Sequence, residues 1–374
     1  MGNLFIVHFQ PIEKYPPVIN LLRYLASHNG EQTKIHVITT GDEKGKQIDI
    51  PNVAIQRLVK LTNTMSRWRR LKLYIQFNIF AFQALRKWLP QKVMYFETLS
   101  AAAPFFYKRW INKKSEIFIH YHEYTSNQGY RDGMMLQHFF HQLELKLYPY
   151  ATWVSHTNED RLRLFLKDSG ANQPPHAYVL PNYPPASWKE KRNTHRSGTP
   201  GQIAFVYVGA LGLETMYIRE FSNFVKDNTA QCSWHIYSDN YSKEVIEYFE
   251  NLHASNIDFK GAVDYDELPS ILGDYDIGVI LYNGHIPNYI YNAPNKLFEY
   301  LACGLDVWFP DVMKGCKGYI TTNTYPEVRS MDFNNLNSSI LQSVGRHQQH
   351  ERKDSGYYSE TILFNLKKKL LPDA

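Results

Sequence analysis

A lysine and a glutamate three residues apart stand near the start of the stretch Asn292-Ala-Pro-Asn-Lys-Leu-Phe-Glu-Tyr-Leu-Ala-Cys-Gly304. Pro294 suits the first turn of a helix, where its missing N–H costs nothing, and Asn292 or Ala293 then holds the cap, Asn being the better cap chemically. Gly304 closes the helix. A helix opening that exposes N–H groups beside Lys296 can bind an anion, and Glu299 one turn further in can accept hydrogen bonds from sugar hydroxyls. The same spacing also describes an amphipathic helix with a Leu297/Phe298/Leu301 stripe and a solvated Lys–Glu pair. Spacing alone favours that plainer description.

A second group is His120-Tyr-His122-Glu123. His120 and His122 share one face of a strand, and Glu123 enters the loop that follows. Glu123 can take a proton or bind an acceptor hydroxyl. His120 equally suits a hydrogen-bonded interior histidine. No second cluster completes a metal site, and Cys232, Cys303 and Cys316 lie too far apart for a metal or disulfide framework. A reducing, intracellular compartment is expected.

A third group is defined by charge. Between Ile50 and Phe96 there is no Asp or Glu, while nine lysines and arginines fall in the same interval. Arg67, Arg69, Arg70 and Lys72 crowd around Trp68 at its centre, with Trp68, Leu71, Ile75, Phe82 and Leu85 at helical spacing. This suits a basic, aromatic helix end touching anionic lipid headgroups or a lipid-diphosphate acceptor. It also suits a solvated basic face over an ordinary core stripe. Nucleic acid is not expected, because no recognition motif accompanies the charge.

The elements that must position these groups follow from the chain as a whole. It has 374 residues, 44% hydrophobic and 21% charged, enough for two folded domains. Aromatics at 15% suggest large buried or ligand-facing ring surfaces. No apolar run approaches the roughly 20 residues needed to span a bilayer. Short apolar strands alternate with helices: strands at Leu4–Phe9, Lys34–Thr39, Val93–Phe96, Glu116–Tyr121, Thr152–Ser155 and Ala177–Leu180, then again from Ile203–Val208 onward. In the second half, Asp276–Leu281 and Val307–Phe309 flank the Lys296 helix, Lys317–Thr321 is expected to add a strand, and Phe333–Val344 a helix. Strands separated in this way imply parallel sheets covered on both faces. The polar stretch Lys189–Gly201 reads as an interdomain linker.

In the second half, Tyr207-Val-Gly-Ala-Leu, Phe259-Lys-Gly, Leu272-Gly-Asp-Tyr-Asp-Ile-Gly-Val and Pro294-Asn-Lys-Leu-Phe-Glu-Tyr-Leu-Ala-Cys-Gly304 occur in that order. This set resembles the nucleotide-sugar half of a GT-B glycosyltransferase and, within that fold, the retaining group called family 4 (glycosyl transferases group 1). Ile119-His-Tyr-His-Glu123 and Tyr178-Val-Leu-Pro-Asn-Tyr-Pro184 extend the resemblance over most of the chain. It implies an α/β GT-B fold, two doubly wound Rossmann-like domains facing across a cleft. The expected domains are 1–183 for the acceptor, a linker at 184–201, 202–352 for the nucleotide sugar, and a C-terminal helix within 353–374 packing back toward the first domain.

The resemblance also implies roles. Glu299 matches the second glutamate of a Glu-x7-Glu signature, which contacts the donor ribose or sugar; the first falls at Tyr291. Lys296 matches the lysine that binds the diphosphate, with Asn295 and Leu297 flanking it in the donor site. Gly209, Ala210 and Leu211 form the glycine loop, whose N–H groups can approach a phosphate. The usual Arg–Lys pair is missing there, and Arg219 is the first cation that can take its place. His122, rather than His120, is expected to hold the donor sugar. The expected catalytic groups are His122, Glu123 and Lys296, with no metal and no cofactor beyond the nucleotide-diphosphate sugar. Arg67, Trp68, Arg69, Arg70 and Lys72 form the expected acceptor or membrane contact.

The resulting expectation is a cytoplasmic, metal-independent retaining hexosyltransferase acting on a glycan or lipid-linked acceptor in surface-polysaccharide assembly. Peripheral contact with the inner face of the membrane is expected from the basic run. Tyr291 and the missing cations motivate an alternative, a GT-B-fold protein that binds a nucleotide or glycan without transfer; a nucleotide-sugar epimerase is a third.

Overall fold

The computed structural model describes residues 2–30, 33–42, 47–61, 65–191, 201–344 and 353–371. The chain forms two compact units, Met1–Pro181 with Ser359–Ala374, and Asn182–Tyr358.

The first unit is built on a seven-stranded parallel sheet. Its strands are β1 (Gly2–His8), β2 (Thr33–Asp42), β3 (Val53–Leu61), β4 (Lys92–Phe96), β5 (Glu116–Tyr121), β6 (Trp153–His156) and β7 (Ala177–Val179). They are ordered β3-β2-β1-β4-β5-β6-β7. Strand alternation divides the core between the two faces. Phe5, Val7, Val93, Tyr95, Ile117 and Ile119 share one apolar cluster. Leu4, Ile6, Met94 and Phe118 share another, which includes Leu363, Leu366 and Leu370 of the helix Ser359–Leu370. The helices used below are α1 (Pro16–Ser27), α2 (Arg67–Trp88), α3 (Ala102–Phe106), α4 (Met135–Leu147) and α5 (Glu159–Ser169). Asn158 starts α5 by accepting from the Arg161 N–H at 2.9 Å.

The second unit carries β8 (Ile203–Val208), β9 (Cys232–Tyr237), β10 (Ile257–Gly261), β11 (Ile277–Val279), β12 (Asp306–Pro310) and β13 (Val328–Met331). Their order is β10-β9-β8-β11-β12-β13, again with parallel pairing. Its two relevant helices are α6 (Ile218–Asp227) and α7 (Asn295–Cys303).

Several expectations change. β3, an edge strand with alternating polar residues, adds a strand between the two expected at Lys34–Thr39 and Val93–Phe96. The helix that the sequence suggests from about Asp132 to Tyr148 is α4, starting at Met135; a short helix, Asn127–Asp132, ends before it at Gly133, where an added Cβ would lie 2.7 Å from the Gly129 carbonyl oxygen. The expected strand Lys317–Thr321 is instead the end of a 3-10 turn, Lys314–Tyr319, and Val328–Met331 supplies the last strand. Gly315 is pressed onto the Tyr291 and Asn292 carbonyls there, 2.5 and 2.6 Å from where a Cβ would sit, so the chain coils rather than extends. The expected helix Phe333–Val344 is two 3-10 turns, each started by its own cap, Asp332 and Asn337. The linker is partly a packed element: Ser187–Lys191 is helical, and buried Trp188 lies 4.9 Å from the Tyr265 ring. Residues 192–200 of that linker lie outside the described residues.

Candidate active site

Each sheet reverses its strand order once, and at such a point crossovers diverge to opposite faces and leave a crevice at the carboxyl ends of the strands. In the second unit the reversal falls between β8 and β11. Gly209 follows β8, Tyr282 follows β11 closely, and α7 opens beside both. Lys296, in the first turn of α7, is half-buried. Its Nζ lies 5.3 Å from the centre of the Tyr207 ring and 5.8 Å from that of Tyr282. A methyl group on Gly209 would fall 2.8 Å from this Nζ and 2.9 Å from Cε, so the lysine tip rests directly on the glycine backbone. Gly209 also has φ +127°, a conformation open to glycine and strained for other residues.

Burial works to lower the Lys296 pKa, but the pull of Tyr207, Tyr282 and Glu299 outweighs it and holds the ammonium above its usual range. Glu299 is buried, and desolvation pushes its carboxyl up to about 7 against the opposing effect of Lys296. The site therefore holds a firmly charged cation beside a carboxyl that can exist in either form near neutrality. Tyr282 is fixed from two directions: it bridges to Met216, and its ring stacks on Tyr289 at 4.7 Å. Tyr289 thus already has a ring partner. Tyr291 has Lys314 Nζ 5.8 Å from its ring centre.

Other expected donor residues are placed differently. Pro294 holds the cap position itself, without a side-chain cap bond, and Asn295 is the first helical residue. Leu297 is fully enclosed in the core, as is most of Leu211, so neither side chain faces a ligand. The Gly209 N–H donates to the Tyr237 carbonyl and the Leu211 N–H to that of Asn240, each at 2.9 Å. The glycine loop therefore does not offer these two groups to a phosphate. Ala210 is exposed, and its carbonyl accepts from the Tyr207 hydroxyl at 2.6 Å. The Arg219 guanidinium lies over the Tyr248 ring at 4.9 Å, a packing position.

In the first unit the reversal falls between β1 and β4, and His8, Glu97, His120 and His122 collect at those strand ends. His120 is interior, with Nδ1 2.9 Å from Ser155 Oγ. The His122 ring lies parallel to Phe96 at 5.4 Å and 5.5 Å from Tyr15. Its backbone is gripped from both ends. The His122 N–H donates to Glu97 Oε1 at 2.6 Å, and its carbonyl accepts from Arg161 Nη1 at 2.6 Å. Glu123 is exposed in the loop beyond. His8 Nδ1 donates to the Gln10 carbonyl at 2.6 Å, which leaves Nε2 as a buried acceptor without a hydrogen-bond partner. Burial, then the nearby His122, takes His8 down to about 3, so it stays neutral.

Sequence reasoning missed Glu97 and Arg161. Glu97 has φ 60° and ψ 152°, a region almost restricted to glycine. Burial, then the charge of Glu123, pushes its carboxyl up to about 8, against backbone N–H bonds from His122 and Glu123. One signal was available, since Glu97 is the first carboxylate after the acid-free interval and directly follows an apolar strand. Arg161 had none; it reads as a surface residue of an amphipathic helix. Among the described residues no group of three or more His, Cys, Asp or Glu is arranged to hold a metal.

This architecture is found in known proteins. HepE of Anabaena, in complex with UDP and glucose, matches with a TM-score of 0.68 at 10% identity over 99% of both chains. The lipopolysaccharide outer core galactosyltransferase WaaB, in its apo form, matches at 0.63 and 11% identity over 98% of both. A candidate UDP-N-acetylglucosamine 2-epimerase of Listeria monocytogenes matches at 0.61 and 12% identity, over 99% of this chain and 97% of that one. No protein-family model matches the chain, and no curated protein sequence does. At these identities the likeness is one of fold, and the fold class is GT-B, an α/β architecture of two doubly wound units.

Proposed function

We propose that this chain is a retaining glycosyltransferase that moves a hexosyl group from a nucleotide-diphosphate sugar to a glycan or lipid-linked acceptor, without a metal, in surface-polysaccharide synthesis on the cytoplasmic side of the membrane. The observation that carries the reading is the Lys296 ammonium, seated on Gly209 at the strand-order reversal with Glu299 one turn further along α7. A charged lysine at a helix opening is suited to a leaving diphosphate, and stabilising that charge is the main demand of same-face transfer. Glu299 is suited to ribose or sugar hydroxyls. His122 and Glu123 are proposed to meet the sugar and the acceptor. Arg67, Trp68, Arg69, Arg70 and Lys72 are proposed to meet an acceptor phosphate or headgroup. UDP, bound by HepE, is the first nucleotide to try.

The test is a panel of nucleotide sugars scored by thermal stabilisation, followed by product analysis with a cell extract as acceptor source. At least one donor is expected to raise the unfolding midpoint, Lys296→Ala to abolish that rise, and Glu299→Ala to abolish transfer. Full transfer by Glu299→Ala would sink the assignment.

A second reading has its own support in Tyr291, which replaces the first glutamate, and in the glycine-loop N–H groups already bonded within the protein. It is a GT-B protein that binds a nucleotide or glycan without transfer, or one that epimerises the bound sugar. Nucleotide-induced stabilisation with unchanged or epimerised sugar by NMR would favour it.

A further inference from the structure

The helical stripe that reads as core in α2 is not all core. Leu85 is inside, but Trp68 is 81% exposed, and Ile75 and Ile79 also face solvent. Trp68, Lys72, Ile75, Ile79 and Arg86 recur at helical spacing and so share one face. Beside that face stands Trp110, 65% exposed, edge-on to Phe82 of α2 at 6.4 Å and stacked on Phe106 of α3 at 4.5 Å. Phe106 packs in turn with Leu136 and Phe140 of α4, whose outward side chains are Met135, 86% exposed, and Phe139. α2, the helical turn Tyr107–Ile111 that carries Trp110, and α4 thus present one band of outward-facing large apolar side chains. Single exposed apolar residues are ordinary; a connected band with Trp, Met and Phe marks an interaction surface.

Its charge says what it meets. From Arg67, the start of α2, to Lys114 there are 11 lysines and arginines and one carboxylate, the half-buried Glu97. A second copy would set two such cationic faces against each other, at a Coulombic cost. A nucleic-acid backbone would leave Met135 and Ile79 with nothing to bury them. An anionic bilayer satisfies both parts, phosphates for the cations and the acyl boundary for the apolar tips. Among the described residues no helix is long and apolar enough to cross a membrane, so the contact is peripheral.

We propose that this three-helix flank of the first unit docks on an anionic bilayer, Trp110, Met135, Phe139, Ile75 and Ile79 entering the headgroup layer while the basic residues bind headgroup phosphates. The proposal deepens the lipid-linked-acceptor reading and rests on it for its biological sense, but its test involves no sugar transfer. Co-sedimentation with phosphatidylcholine vesicles, with and without phosphatidylglycerol, is measured at low and high salt. The protein is expected to sediment with anionic vesicles at low salt and to keep part of that binding at high salt. The triple variant Trp110→Ser/Met135→Ser/Phe139→Ser is expected to bind at least about tenfold more weakly, with its unfolding midpoint and any nucleotide-induced stabilisation unchanged. Arg67→Gln/Arg69→Gln/Arg70→Gln/Lys72→Gln is expected to lose the preference for anionic lipid. No sedimentation at low salt, or full binding by the triple variant, would overturn the proposal. So would a dimer that the triple variant converts to a monomer, or binding to duplex DNA in place of vesicles.

Discussion

Lys296 and Gly209 depend on each other, and this makes their roles separable by mutation. Gly209→Ala places a Cβ 2.8 Å from Lys296 Nζ, and the flexible end of the lysine has to move. The positive φ adds backbone strain of roughly 1–3 kcal/mol. The expected outcome is a loss of about 1–2 kcal/mol in denaturant unfolding, with nucleotide affinity at least about tenfold weaker. In a Lys296→Ala background Gly209→Ala should still cost stability but no longer change affinity. Glu97 is the corresponding residue of the first unit. Its carboxyl stands near 8 when folded against an ordinary 4.5, so it favours the folded state most below pH 4.5, and that contribution is lost as pH rises toward 8. Glu97→Gln should flatten the fall in thermal midpoint between about pH 5 and 8; an unchanged slope would remove Glu97 as its source. Lys296 and Glu299 were legible because a helix opening advertises itself through Pro294 and Gly304. Glu97 and Arg161 were not, since their importance lies in gripping the backbone of His122 across three strand ends, and no local spacing encodes that.

At the scale of elements, the position of the lysine is set by how closely α7 approaches the sheet. Gly278 in β11 has no side chain because Tyr300 of α7 occupies the space: a Cβ there would lie 2.1 Å from the ring. The Tyr300 hydroxyl accepts from the Val208 N–H at 3.1 Å, which ties the helix to the end of β8, one residue before Gly209. Asp276 accepts from the Ala204 N–H at 2.8 Å and fixes β11 against β8 at the opposite end. Gly278→Ala should therefore lift α7 and cost about 3 kcal/mol of stability, measured by denaturant unfolding of the variant. It should also weaken nucleotide binding although it touches no ligand. The buried strands were read to within about three residues at either end, because a strand covered on both faces is an unbroken apolar run. The elements missed were edges and coils. β3 alternates polar and apolar residues, β13 is short, and the turn Lys314–Tyr319 is dictated by Gly315 against the Tyr291 and Asn292 carbonyls, a contact between segments far apart in sequence.

For the whole molecule, each of the two units has its own core, and the shifted groups divide unevenly between them. The first unit holds His8 and His156, both taken to about 3 chiefly by burial, and His120, also lowered well below its usual value by burial. Each stays neutral when folded but takes up a proton when unfolded once the pH drops below about 6.5, so each loses stability as pH falls from there toward 3. Burial lowers His36 as well, and against these histidines Glu97 is, among the described residues of this unit, the one raised carboxyl acting in the opposite direction. The first unit should be most stable near pH 6.5 and weaken steeply on acidification. The second unit contains Glu299, raised to about 7, and one histidine lowered by burial, His235, against several in the first, so acid should affect it less. A nucleotide held by Lys296 binds the second unit alone and would stabilise it by about 2.7 kcal/mol at a hundredfold excess over its dissociation constant. Calorimetry should then resolve two transitions, since a chain with two cores need not unfold in one step. Lowering the pH from about 6.5 to 5 should move one transition down, and adding UDP should move the other up. Expressing Asn182–Tyr358 alone would identify the second. If UDP moves the acid-sensitive transition instead, the nucleotide site has been placed in the wrong unit.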